Sequence, residues 1–126
     1  MNKFESQAIS NTLWSYATLG CASPKLFDAA AEEAIKKINK FKPQEISNTL
    51  WSYATLGHAS PQLFDAVAEE AIKKMNKFNQ QDISNTLWSY ATLGCASPKL
   101  FDVAAEEAIK KMNKFITQQI SNTLWS

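Results

Sequence analysis

The sequence predicts an all-α protein, a right-handed α-solenoid of 37-residue helix-turn-helix repeats, and three observations carry that reading. The string Ile-Ser-Asn-Thr-Leu-Trp-Ser-Tyr-Ala-Thr-Leu-Gly fills residues 9–20, 46–57 and 83–94, and its first seven residues return at 120–126. The same offset relates Ala-Ser-Pro at 22–24, 59–61 and 96–98, and Glu-Glu-Ala-Ile-Lys-Lys at 32–37, 69–74 and 106–111. Inside each period the apolar residues recur at helical spacing, and a fixed period of about 20–50 residues marks stacked repeats.

Each unit divides into two helices. In the second unit the first helix is predicted from about Pro43 to Leu56, with Pro43 in the first turn and Glu45 at the positive end of the helix dipole. Ile46, Leu50, Tyr53, Ala54 and Gly57 share one face, and Gly57 supplies the left-handed stop. Ser60 as N-cap and Pro61 in the first turn restart the chain as a helix to about Lys77. Leu63, Phe64, Val67, Ala68, Ala71, Ile72, Met75 and Phe78 form its buried stripe. Glu69–Lys73 and Glu70–Lys74 are spaced for i, i+4 pairing, and Lys73, Lys74 and Lys77 oppose the C-terminal dipole. Tyr16, Tyr53 and Tyr90 all belong to the apolar face and are expected in the core.

One hairpin cannot bury both of its apolar faces, whereas a stack can. The chain is therefore expected to be a single array over 1–126, with repeats at 4–40, 41–77 and 78–114 and a partial fourth at 115–126. Met1-Asn2-Lys3-Phe4 matches Met75-Asn76-Lys77-Phe78, and residues 120–126 open another unit, so the array reads as a piece of a longer one. An engineered consensus array is the alternative, although a designer has reason to cap the ends and remove Cys21 and Cys95.

Composition narrows the function. The chain is 45% hydrophobic and 20% charged with a net charge of +1, so no global polycation recruits nucleic acid. All thirteen basic residues are Lys, which counts against the bidentate phosphate and guanine contacts typical of Arg. Cys21 and Cys95 lie two layers apart, beyond disulfide reach, which fits a reducing compartment. No apolar run is long enough for a membrane span, and no signal or transit peptide is evident.

Three patterns bear on ligands. Asn48, Ser52 and Thr55 fall within roughly 60° on the helical wheel. They recur as Asn11/Ser15/Thr18 and Asn85/Ser89/Thr92, and Asn122 and Ser126 begin another set. This ladder suits either hydrogen bonding to bases and sugars or a small-residue face for close helix packing. Trp14, Trp51, Trp88 and Trp125 stand at its border; packing anchors are the favoured reading and base stacking the other. Lys36, Lys37, Lys40, Lys73, Lys74, Lys77, Lys110, Lys111 and Lys114 collect at the ends of the second helices, beside Glu32, Glu33, Glu69, Glu70, Glu106 and Glu107. That edge suits a phosphate backbone or, equally, a solvated and salt-bridged surface.

Repeats differ mainly at the entry to the first helix: Glu5/Lys42/Asn79/Ile116, Ser6/Pro43/Gln80/Thr117 and Ala8/Glu45/Asp82/Gln119. A further variable place follows the stop glycine, Cys21/His58/Cys95. The entry positions are the second choice for readout. Catalysis has little support, because the single histidine, His58, lacks an evident partner and Cys21, His58 and Cys95 lie one per layer, too far apart for one metal ion. No cofactor, metal or small-molecule substrate is expected.

Phe41-Lys42-Pro43-Gln44-Glu45-Ile46-Ser47-Asn48-Thr49-Leu50-Trp51, the Ala-Thr-Leu-Gly at 54–57 and Pro61 opening a second helix closely resemble the octotricopeptide repeats and their heptatricopeptide relatives. The resemblance covers essentially the whole chain. It implies a solenoid that binds single-stranded RNA and acts on organelle transcripts in maturation, stability or translation, in a mitochondrion or plastid. Without a transit peptide in the chain, the cytoplasm is the other location. The expected function is RNA binding without catalysis, with the Asn/Ser/Thr ladder facing the strand and the lysines holding phosphates. A protein-interaction scaffold is the rival from another class.

Overall fold

Four prolines start helices here, at the first-turn position where a missing N–H costs nothing. The computed structural model describes the backbone of residues 3–95 and 97–125, and the side chains of residues 5–95 and 97–114. It is all-helical, with helices α1 (Lys3–Leu19), α2 (Pro24–Lys36), α3 (Pro43–Thr55), α4 (Pro61–Lys74), α5 (Gln80–Leu93) and α6 (Pro98–Trp125). Short 3₁₀ turns at Ile38–Lys40 and Met75–Lys77 lead into α3 and α5. The helices lie in two rows. In one row α3 lies between α1 and α5; in the other α4 lies between α2 and α6.

A single core runs between the rows. Phe27, Phe41, Ile46, Leu50, Tyr53, Leu63, Phe64, Phe78, Tyr90 and Leu100 are buried within it. The stripe expected on α4 is buried throughout except for Ile72, which is half-buried. Glycine ends the first helices as expected. Gly57 adopts φ +66°, and the N–H groups of Gly57 and His58 donate to the carbonyls of Ala54 and Tyr53, at 3.1 and 2.9 Å. This is a Schellman stop, in which the left-handed residue is normally glycine.

Four expectations are corrected. Ser60 does sit at the N-cap of α4, but its hydroxyl makes no capping bond, because a ψ of 85° takes it out of the extended region that aims such a side chain. Glu70–Lys74 forms at 3.2 Å, as do its equivalents Glu33–Lys37 and Glu107–Lys111. Glu69 and Lys73 are both exposed, and no ion pair joins them within 4.0 Å. Tyr16 is 38% exposed, whereas Tyr53 and Tyr90 are core. The later tyrosines bury themselves against Phe27 and Phe64 of the preceding unit, and Tyr16 has no such partner among the described residues.

The fourth correction concerns the end of the third unit. A break between the third unit and the partial fourth is expected near residue 114, yet α6 runs unbroken for 28 residues. The physical reason is local. At the earlier boundaries Pro43 occupies the first turn of α3, and at α5 a capping box forms: Asn79 Oδ1 accepts from the Asp82 N–H at 2.7 Å, and Asp82 accepts from the Asn79 N–H at 3.2 Å. Ile116, Thr117 and Gln119 replace these residues, so neither a proline nor a capping oxygen at 116 halts the helix.

Candidate nucleic-acid interface

Packing decides which face of the first helices remains open. Helix α3 is covered by α1 on one side, α5 on the other and the α2–α4 row beneath. What stays accessible is a strip one residue wide: Gln44 and Thr55 exposed, Asn48 and Trp51 half-buried. Their spacing, i, i+4, i+7 and i+11, holds them within roughly 60° of arc at about 100° per residue. The strip recurs as Gln7, Asn11, Trp14 and Thr18 on α1 and as Gln81, Asn85, Trp88 and Thr92 on α5. Trp14 is 45% and Trp88 47% exposed, and the Trp14 and Trp51 ring centroids are 6.4 Å apart at 30°.

The predicted ladder is thereby divided. Asn11, Thr18, Thr55 and Thr92 are exposed, and Asn48 and Asn85 reach the surface in part. Ser52 and Ser89 are fully buried. All three serine hydroxyls donate to a carbonyl one turn back: Ser15 to Asn11 at 2.9 Å, Ser52 to Asn48 at 2.8 Å and Ser89 to Asn85 at 2.7 Å. A serine bonded this way inside a helix is occupied by its own backbone. Asn122, Trp125 and Ser126 lie outside the residues whose side chains are described.

Gln7, Gln44 and Gln81 were missed by sequence reasoning, although a signal existed, since they repeat at the same 37-residue offset. One of them is engaged: Gln81 Nε2 donates to Asn85 Oδ1 at 3.1 Å. That contact uses the Gln81 NH₂ and the Asn85 oxygen, leaving the Asn85 NH₂ as a donor and the Gln81 carbonyl oxygen as an acceptor.

The lysine edge also separates into kinds. Lys74 Nζ donates to the carbonyls of Asn39 and Phe41, at 3.0 and 2.9 Å, as well as pairing with Glu70. Lys111 repeats this one unit on, reaching the Asn76 carbonyl at 3.4 Å. Both lysines therefore tie a second helix to the turn before it. Lys37 pairs with Glu33 at 2.7 Å; their hydrogen bond holds the carboxyl below its ordinary range and raises the ammonium above its own. Lys36, Lys40, Lys73, Lys77, Lys110 and Lys114 are exposed. Lys40 and Lys77 stand on the turns that lead straight into α3 and α5, close to where each strip begins.

The entry positions are largely engaged within the fold. Glu45 and Asp82 are buried, Glu45 accepts from the Lys42 N–H at 2.9 Å, and Ser6 donates to Glu45 at 2.9 Å across the α1–α3 contact. Ser47 reaches Asp82 similarly at 3.4 Å across α3–α5. His58 meets Asp28 of the preceding unit at 2.9 Å, so this variable position is also a contact between repeats. Among the described residues no group of three His, Cys, Asp or Glu side chains is placed to hold a metal ion, and no helix is long and apolar enough to cross a membrane.

A family model, the RNA-editing substrate-binding complex 6 protein, matches residues 33–126, well over half of the chain. The chain belongs to that family. The match to the RNA-editing substrate-binding complex 6 family takes in α3 to α6 and every lysine from Lys36 to Lys114. A second model, for a protein of unknown function (DUF1601), matches residues 1–13. No curated protein matches the chain significantly.

Proposed function

We propose that the chain is a segment of a right-handed α-solenoid that binds single-stranded RNA along the open strip of its first helices, as part of an assembly handling RNA-editing substrates. The observation that carries this reading is the file of part-exposed Trp14, Trp51 and Trp88, one per unit, each flanked by Asn and Thr. Rings that served only to pack successive units would be expected to close over, as Phe27 and Phe64 do. An accessible row of rings suits stacking on unpaired bases, which is tolerant of sequence. Six exposed lysines at the ends of the second helices, Lys36, Lys40, Lys73, Lys77, Lys110 and Lys114, supply phosphate contacts, and a net charge of +1 makes that attraction local. The family's name and the resemblance to octotricopeptide and heptatricopeptide repeats support the same reading. Action in a mitochondrion or plastid, and binding without catalysis, belong to it.

A protein-interaction scaffold is the second reading, favoured by the same tryptophans, since half-open Trp is a common anchor in protein interfaces. Binding of fluorescent single-stranded RNA, measured by anisotropy at two salt concentrations, separates the two. RNA binding should weaken steeply with salt, by a slope near −0.7 per neutralised phosphate. Changing Trp14, Trp51 and Trp88 together to Ala should abolish it. Absence of binding at low salt by the folded chain rules out RNA and leaves the scaffold.

A further inference from the structure

The strip is chemically identical in all three units. Gln, Asn, Trp and Thr stand at 7/11/14/18, 44/48/51/55 and 81/85/88/92 without a substitution. Positions that do vary are mostly turned to other tasks. Ser6, Glu45 and Asp82 are buried in bonds that cap or join helices, Asn79 caps α5, and His58 contacts Asp28. Variation along the array therefore leaves the open face unchanged. The ring spacing between the first two units is also on view. Trp14 and Trp51 are 6.4 Å apart between ring centroids, about twice the ~3.4 Å rise per nucleotide of a stacked strand. A strand drawn out to that step offers one unstacked base to each unit.

Resting on the RNA reading above, we infer that the array takes one nucleotide per repeat and asks the same question of each, so its preferred ligand is a tract of a single repeated base. Each base stacks on the Trp of its unit, and the amide pair beside that ring reads the base edge. In the third unit the Gln81–Asn85 bond already sets this pair, with the Asn85 NH₂ as donor and the Gln81 oxygen as acceptor. An amide pair held in one order favours base edges that present acceptor and donor in the complementary order, and three equal units compound that preference. A mixed sequence satisfies some units and leaves the amides of the rest unpaired.

The test compares oligo(A), oligo(C), oligo(U) and a mixed-sequence RNA of equal length, at one low salt concentration, on the full chain. One homopolymer is expected to bind at least about tenfold more tightly than the mixed RNA, within the range that amide–base pairs provide. Changing Asn11, Asn48 and Asn85 together to Ala should bring that homopolymer down to the level of the mixed RNA. These side chains are exposed or half-exposed, and circular dichroism verifies that the variant folds. Equal affinity for the mixed RNA and every homopolymer overturns the inference and keeps the RNA reading. Homopolymer preference that survives the triple change overturns the assignment of readout to the amides. No binding to any of the four overturns both.

Discussion

The first and second units carry nearly the same residues and hold them very differently. Tyr53 is fully buried, donates to the Phe27 carbonyl and packs edge-on against the Phe27 ring at 4.8 Å. Tyr16, the same residue one unit earlier, is exposed. Lys74 fastens α4 to the Asn39 and Phe41 carbonyls, and Lys37 pairs with Glu33. Ser52 is buried where Ser15 is open. Much of what makes a unit rigid is therefore supplied by the unit before it, as expected of a stack with nearest-neighbour energetics.

The strongest way to break that comparison is to cut the ring that receives a following unit. Phe64 is fully buried beneath Tyr90, at 4.8 Å, while its equivalent Phe101 is half-buried. Phe64→Ala should cost about 3–5 kcal/mol, and Phe101→Ala clearly less. Urea unfolding measures both, and equal losses would show that stability resides inside units. The straight α6 gives the next largest effect. Thr117→Pro places a proline within a continuous helix, where it costs about 3 kcal/mol or more, although Pro43 occupies the same repeat position harmlessly in a first turn. Amide hydrogen exchange over residues 116–125 should accelerate at least tenfold, an effect equivalent to about 1.4 kcal/mol. Unchanged protection would mean that the segment already turns before 117.

The period, both helices of each unit and almost the whole core were legible in the sequence, because identical strings at one offset leave little freedom in register. The open strip was not. A helical wheel puts Ser52 beside Asn48 and Thr55, and only the flanking α1 and α5 show that Ser52 is covered while Gln44 and Trp51 are not. The lysines illustrate the same limit. Nothing local distinguishes Lys73 from Lys74, since the choice depends on carbonyls in the turn of the preceding unit. The missing break near residue 114 was partly legible, in Ile116 and Thr117, but the strength of the repeat pattern concealed it.

A smaller effect comes from the tyrosine hydroxyls. Tyr53→Phe removes the second of two donors to the Phe27 carbonyl, which keeps its N–H partner within α2, and should cost about 1–1.5 kcal/mol, whereas Tyr16→Phe should cost under ~0.5 kcal/mol. The same bonds set an alkaline limit. Burial pushes the hydroxyls of Tyr53 and Tyr90 well above their usual value near 10, so the folded chain keeps protons that the unfolded chain releases. Stability is thus complete below pH 10 and falls as pH rises beyond it. A urea midpoint that holds steady from pH 9 to 12 would contradict the burial of both groups. The fall should be shallower in Tyr53→Phe than in the unchanged chain.

The smallest effect separates the two kinds of lysine within one helix turn. Lys74 has carbonyl and carboxylate partners across the boundary between units, and it is largely sheltered from solvent. Lys74→Ala should cost about 1 kcal/mol, the value of a charged hydrogen bond reduced for partial exposure. Lys73→Ala should leave the urea midpoint unchanged, since its side chain is exposed. RNA affinity should show the reverse. Losing Lys73 removes one phosphate contact and should lower the slope of log affinity against log salt by about 0.7. Losing Lys74 should leave that slope alone. If both variants lowered the slope equally, the tie to Asn39 and Phe41 would have to open when RNA binds, and contact between units would be coupled to the ligand.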